Sequence, residues 1–155
     1  MPELQPGSKA PAFKAAAVGG KYDGQIVSLA DLKGKTVILY FYPKDDTPGC
    51  TKQACGLRDA WQDFAGKAEV FGVSIDSTKS HAKFIEKYAL PFPLLSDDEK
   101  KIVSDYGVWV EKSMYGKKYL GTERSTFVIG PDGKIEAIFR KVKPEEHAAQ
   151  LLAAL

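Results

Sequence analysis

Cys50 sits in the run Tyr42-Pro43-Lys44-Asp45-Asp46-Thr47-Pro48-Gly49-Cys50-Thr51, and the only other cysteine, Cys55, follows five residues later. The apolar stretch 36–42 leads into the run, and a helix-forming stretch leads out of it. The first N–H groups of a helix lack intrahelical partners and carry partial positive charge, so an anion is favoured there. A thiol placed at such a terminus, especially beside a cation, has its pKa lowered from about 8.5 and becomes a better nucleophile at neutral pH. Pro48 suits the first helical position because its missing N–H is not needed there. Thr47 then falls at the N-cap and Cys50 at the third helical position. The Thr47 hydroxyl has two open readings at this stage: a cap for the helix, or a hydrogen bond to a substrate oxygen.

Other cysteine chemistries fit less well. Two cysteines with two distant histidines, His81 and His147, have no zinc-site spacing, so no metal is expected. The spacing C-x-x-x-x-C is not the C-x-x-C of a thioredoxin-type pair. His81 lies in a polar helical stretch and His147 near the chain end. Both read as solvated, and neither as a base for Cys50.

Pro43-x-x-x-Thr47-x-x-Cys50 resembles the active-site motif of the peroxiredoxins. The fuller run Thr47-Pro48-Gly49-Cys50-Thr51, with Cys55 and then Arg58-Asp59, looks like their Q-type branch, the bacterioferritin comigratory protein group. Glu123-Arg124-Ser125-Thr126-Phe127-Val128-Ile129 is similar to the strand that supplies that family's arginine. The resemblance runs from the segment Gly7-Ser8-Lys9-Ala10-Pro11 to the C-terminal helix. It implies that Cys50 attacks a hydroperoxide and becomes a sulfenic acid. Thr47 and the N–H groups near Gly49 and Cys50 would hold the peroxide oxygens. Arg124 would stabilise the thiolate and polarise the O–O bond, and Pro43 would shield the site from water. Cys55 would resolve the sulfenic acid as a Cys50–Cys55 disulfide, and thioredoxin or a glutaredoxin would reduce it. No cofactor is implied, and the Q-type likeness suggests a monomer. Many relatives have Glu where Gln53 stands, which leads us to expect a weaker network around the helix start.

That disulfide has a geometric consequence. Five residues along an ideal helix separate two Cα atoms by about 8.7 Å, whereas a disulfide needs them within about 6.8 Å. The first turns must unwind before the cysteines can pair, and helix ends near an exposed loop open at low cost. Readings outside a peroxidase are a peroxide-sensing redox switch and a thiol–disulfide oxidoreductase acting on protein partners. The missing C-x-x-C counts against the latter.

Composition agrees with an ordinary globular domain. The chain has 155 residues, 44% apolar and 27% charged, and one domain spanning 1–155 is the natural count. The net charge of +2 gives no reason to expect nucleic acid or a membrane surface as a partner. The residues Met1-Pro2-Glu3-Leu4 do not begin a signal peptide, which makes the cytoplasm the expected location, where a cysteine pair is more often catalytic than structural.

The elements that must position these residues follow from the pattern. Residues 10–32 are turn-rich, with Gly19-Gly20 and Asp23-Gly24 marking a hairpin. Strands are expected at 36–42 and 69–75, with the active-site helix at 48–65 between them. A helix over 77–89 should bury Ala82, Ile85 and Ala89 and be broken by Pro91 and Pro93. Ser96-Asp97-Asp98-Glu99 reads as a capping box for a short helix ending at Gly107. Residues 108–120 read as irregular, or as a strand with a loop. Residues 126–129 and 134–140 flank the turn Pro131-Asp132-Gly133. A last helix opens at Pro144, with Ala148, Leu151, Leu152 and Leu155 inward. This order gives an α/β fold, a thioredoxin-like α/β sandwich with an N-terminal β-hairpin extension, its site beyond the carboxyl end of strand 36–42.

Overall fold

The computed structural model describes residues 3–64 and 66–155; Met1, Pro2 and Ala65, where parts of the leader and first-helix expectations fall, lie outside the described residues. The elements in chain order are β1 (Lys14–Val18), β2 (Ile26–Ser28), β3 (Val37–Phe41), α1 (Pro48–Asp59), α2 (Trp61–Phe64), β4 (Glu69–Ser74), α3 (Thr78–Tyr88), β5 (Leu94–Ser96), α4 (Lys101–Asp105), β6 (Trp109–Met114), β7 (Lys117–Thr122), β8 (Ser125–Ile129), β9 (Ile135–Phe139) and α5 (His147–Ala154). Seven strands form one sheet in the order β2-β1-β5-β4-β3-β8-β9. β3 pairs in parallel with β4 and antiparallel with β8, so it is central. The expected N-terminal hairpin exists, and its β1 joins the main sheet through β5.

Every residue of β3 is buried because helices or loops cover both sheet faces. Alternation sends Val37, Leu39 and Phe41 to one side, where they meet Phe71, Tyr106 and Phe127. Ile38, Tyr40 and Tyr42 face the other side, where they meet Cys50, Ala54 and Leu57 of α1, Phe84 of α3 and Leu151 of α5. The thiol therefore sits over the central strand, on the side roofed by three helices.

Several expectations need correction. The active-site helix ends at Asp59, and α2 follows after Ala60; Trp61 then packs its ring on Phe92. α3 buries His81 and Phe84, with Ile85 half-buried, while Ala82 and Ala89 are exposed. Bulkier side chains at the same helical spacing took the inward stripe. β5 was not anticipated: three residues directly after Pro93 give too short a pattern to recognise. Asp97 alone caps α4, accepting the N–H groups of Lys101, Ile102 and Val103 at 3.0, 3.1 and 2.8 Å, while the Ser96 hydroxyl donates to Asp76 O instead. Residues 109–122 form a full hairpin, β6–β7, turning at Tyr115 and Gly116, both with positive φ. At the C-terminus His147 takes a buried position and Leu155 is exposed.

Candidate active site

β3 ends at Phe41, and the chain crosses the sheet edge through residues 42–47 before α1 begins. That connection is fixed from below. Asp45 accepts the Tyr42 hydroxyl at 2.5 Å, the Ser80 hydroxyl at 2.8 Å and faces His81 Nδ1 at 2.7 Å. His81 Nε2 lies 3.0 Å from Leu95 O. His81 is therefore not solvated, as its polar neighbours in sequence suggested; it is wholly buried, and its carboxylate partner makes that burial tolerable. Next to it, Asp46 adopts a left-handed backbone, φ +56°. Its carboxylate accepts Lys87 and Tyr88 of α3, and the Lys87 hydrogen bond holds it below the usual carboxylate range.

Thr47 is the N-cap residue and Pro48 the first helical residue, as the sequence indicates. The Thr47 side chain does not cap the helix. Its hydroxyl donates to Lys44 O at 2.9 Å, which leaves the oxygen lone pairs as acceptors. Thr51 N–H donates to the Thr47 carbonyl at 2.8 Å. Among the described residues, no protein acceptor pairs with the N–H of Gly49 or Cys50.

Arg124 reaches this helix start from the residue just before β8. Its Nη2 donates to Cys50 Sγ at 3.3 Å and its Nη1 to Gln53 Oε1 at 2.5 Å. Gly49 admits it, since a Cβ there would lie 3.1 Å from Nη2. A guanidinium and a helix terminus thus face one buried sulfur, and both favour its anionic form. Lys112 of β6 adds a further cation nearby; burial, then the Arg124 charge, lowers its pKa. Cys55 lies in the same helix as Cys50, half-buried, and both are free thiols. It borders a groove shared with Pro48, Thr51, Pro144 and Ala148. Pro43 is half-buried in the strand–helix connection.

The structure thus brings Thr47, Gly49, Cys50 and Arg124 together, with Cys55 one and a half turns along the helix. Sequence reasoning undervalued two members. Gln53 is fully buried and joins Arg124 to His147, whose Nδ1 lies 3.0 Å from Gln53 Nε2. His147 is also buried, not solvated, with Nε2 2.7 Å from Thr126 Oγ1. Its spacing of four from Leu151 was the available signal for an inward position.

The sequence profile of the AhpC/TSA family matches residues 6–138. Peroxiredoxin Bcp of Bacillus subtilis is 50% identical over 133 residues, 85% of each chain. Peroxiredoxin Bcp of Escherichia coli is 44% identical over 149 residues, 95% of this chain and 92% of that one. A Xanthomonas campestris bacterioferritin comigratory protein, solved in a study of its alkyl peroxide reduction activity, superimposes with a TM-score of 0.84 at 38% identity, covering 92% of this chain and 88% of that one. With a cysteine at a helix start under an arginine, and with identity at this level along most of its length, the chain belongs to the AhpC/TSA family, on its peroxiredoxin Q/Bcp branch, and is a thiol-dependent peroxidase.

Proposed function

We propose that Cys50 is the attacking thiolate and that Cys55 resolves its oxidised form. The observation that carries this reading is the 3.3 Å contact from Arg124 Nη2 to Cys50 Sγ at an uncapped helix start. The thiolate attacks the distal peroxide oxygen: an S–O bond forms, the O–O bond breaks, and the leaving alkoxide or hydroxide takes a proton to depart as alcohol or water. Thr47 Oγ1, with its own proton committed to Lys44 O, accepts the peroxide O–H. The N–H groups of Gly49 and Cys50 and the Arg124 guanidinium stabilise charge building on the oxygens. Pro43 limits water entry. α1 then unwinds, Cys55 attacks the sulfenic sulfur, water leaves and a Cys50–Cys55 disulfide remains. An external dithiol, thioredoxin or a glutaredoxin, reduces that disulfide by exchange and becomes oxidised itself. Substrates are hydrogen peroxide and small organic hydroperoxides, and the setting is antioxidant defence by a cytoplasmic monomer. No helix among the described residues is long and apolar enough to cross a membrane.

The test is multiple-turnover peroxide consumption with thioredoxin, thioredoxin reductase and NADPH. Sustained turnover should vanish in Cys50→Ser, and Cys55→Ser should lose thioredoxin-driven cycling. One stoichiometric oxidation without cycling would favour a peroxide-sensing switch instead.

A further inference from the structure

Four hydrogen bonds run in series from the far side of the site to the thiol: Thr126 to His147, His147 to Gln53, Gln53 to Arg124, and Arg124 to Cys50. The polarity of the series follows from Arg124. A guanidinium only donates, so the Gln53 oxygen must face Arg124. The Gln53 NH2 group then points at His147 Nδ1, which must accept and carry no proton. The ring proton sits on Nε2 and is donated to Thr126 Oγ1.

We propose that His147 is a positioning residue for the thiol centre: by accepting the Gln53 N–H it fixes the amide oxygen toward Arg124 and so holds the guanidinium against Cys50. The proposal rests on the reading of Cys50 as the attacking thiol. Only the neutral ring can serve. A proton on Nδ1 would set donor against donor, and the amide would rotate to present its NH2 group to Arg124.

The surroundings keep the ring neutral. Burial, then the Arg124 charge, pushes its pKa down to about 3. The groups around it are Gln53 from α1, Tyr40 from β3 with ring centroids 5.5 Å apart, Thr126 from β8, and the Arg124 charge. Glu145 and Glu146 precede it in the chain but are not buried. Gln53 as an amide also leaves the guanidinium charge uncancelled, whereas a carboxylate there would offset it. The same contact ties α5 to α1, so His147 and Gln53 part company when α1 unwinds.

The experiment is alkylation of Cys50 as a function of pH in a Cys55→Ser background, with single-turnover oxidation by hydrogen peroxide measured alongside. His147→Leu removes the acceptor at similar volume. It should raise the alkylation midpoint by about one pH unit, a factor of about 10 in thiolate fraction below it, and slow oxidation about as much. His147→Asn offers an oxygen near the Nδ1 position and should recover most of both. Gln53→Leu, which leaves the histidine in place, should behave like His147→Leu and supplies the test if that variant does not fold. An unchanged midpoint in whichever of these leucine variants folds overturns the proposal, whatever its melting temperature. His147→Asn as impaired as His147→Leu also overturns it, because the residue would then act only by packing. Peroxide turnover surviving in Cys50→Ser would defeat the Cys50 reading instead, and the alkylation data register that separately.

Discussion

Gly49 and Arg124 are packed so closely that a Cβ on residue 49 would come within 3.1 Å of the Nη2 atom that also contacts the Cys50 sulfur. Arg124 is tethered on its other side by Gln53, so its retreat would weaken a hydrogen bond at one end or the other. Alanine is a better helix former than glycine by about 0.8–1 kcal/mol in a helix interior. Gly49→Ala should therefore leave the melting temperature unchanged or raise it, while lowering the rate constant with hydrogen peroxide about tenfold. An undiminished rate would mean the guanidinium can shift without consequence.

Gly56 offers the opposite situation, since nothing lies within 4 Å of a Cβ added there. It sits in α1 next to Cys55, in the segment that must unwind before the disulfide can form. Gly56→Ala should stabilise the wound helix by about 1 kcal/mol and slow disulfide formation about fivefold. The sulfenic acid would live longer, and more of it should proceed to sulfinic acid at high peroxide. Rapid quench with mass spectrometry measures both; an unaltered disulfide rate would place the slow step elsewhere.

The Asp45–His81 pair anchors the connection that carries Thr47. Nδ1 of the buried His81 ring faces the Asp45 carboxylate and Nε2 faces the Leu95 carbonyl. Asp45→Ala would strand that ring together with the Tyr42 hydroxyl in the interior. A loss of about 3 kcal/mol in unfolding free energy is expected from denaturant titration. A loss under about 1 kcal/mol would show that the pair contributes little net stability.

His147 should make stability fall in acid. The unfolded imidazole binds a proton below about pH 6.5, whereas the folded ring, buried and beside Arg124, resists it down to about 3. The unfolded state thus holds more protons between these values. The contribution is complete above about pH 6.5 and declines toward pH 3, by about 2 kcal/mol between pH 6.5 and pH 5. Wild type should lose more stability than His147→Asn over that interval, and equal slopes would contradict a buried neutral ring.

Much of the fold was legible because it rests on local pattern. The apolar run of β3, the Pro131-Asp132-Gly133 turn and the αβ order each state themselves within a few neighbouring residues. Tyr115 and Gly116 show the limit. A two-residue turn with both φ values positive is read easily from Asn-Gly, but a tyrosine in the first position hides it.

Within the site, sequence alone determined the helix start: Thr47, Pro48 and Cys50 occupy the N-cap, first and third helical positions because capping and proline preferences act through the adjacent backbone. The choice of Arg124 came from family likeness, and the antiparallel pairing of β3 with β8 brings it to Cys50 across a separation of 74 positions. His81 and His147 looked like surface residues because polarity in sequence says nothing about a partner 36 or 94 positions away. Burial of a polar ring depends on whether the fold delivers a matching acceptor or donor. Tertiary structure therefore decided which polar side chains entered the interior, and with them how the arginine is held over the thiol.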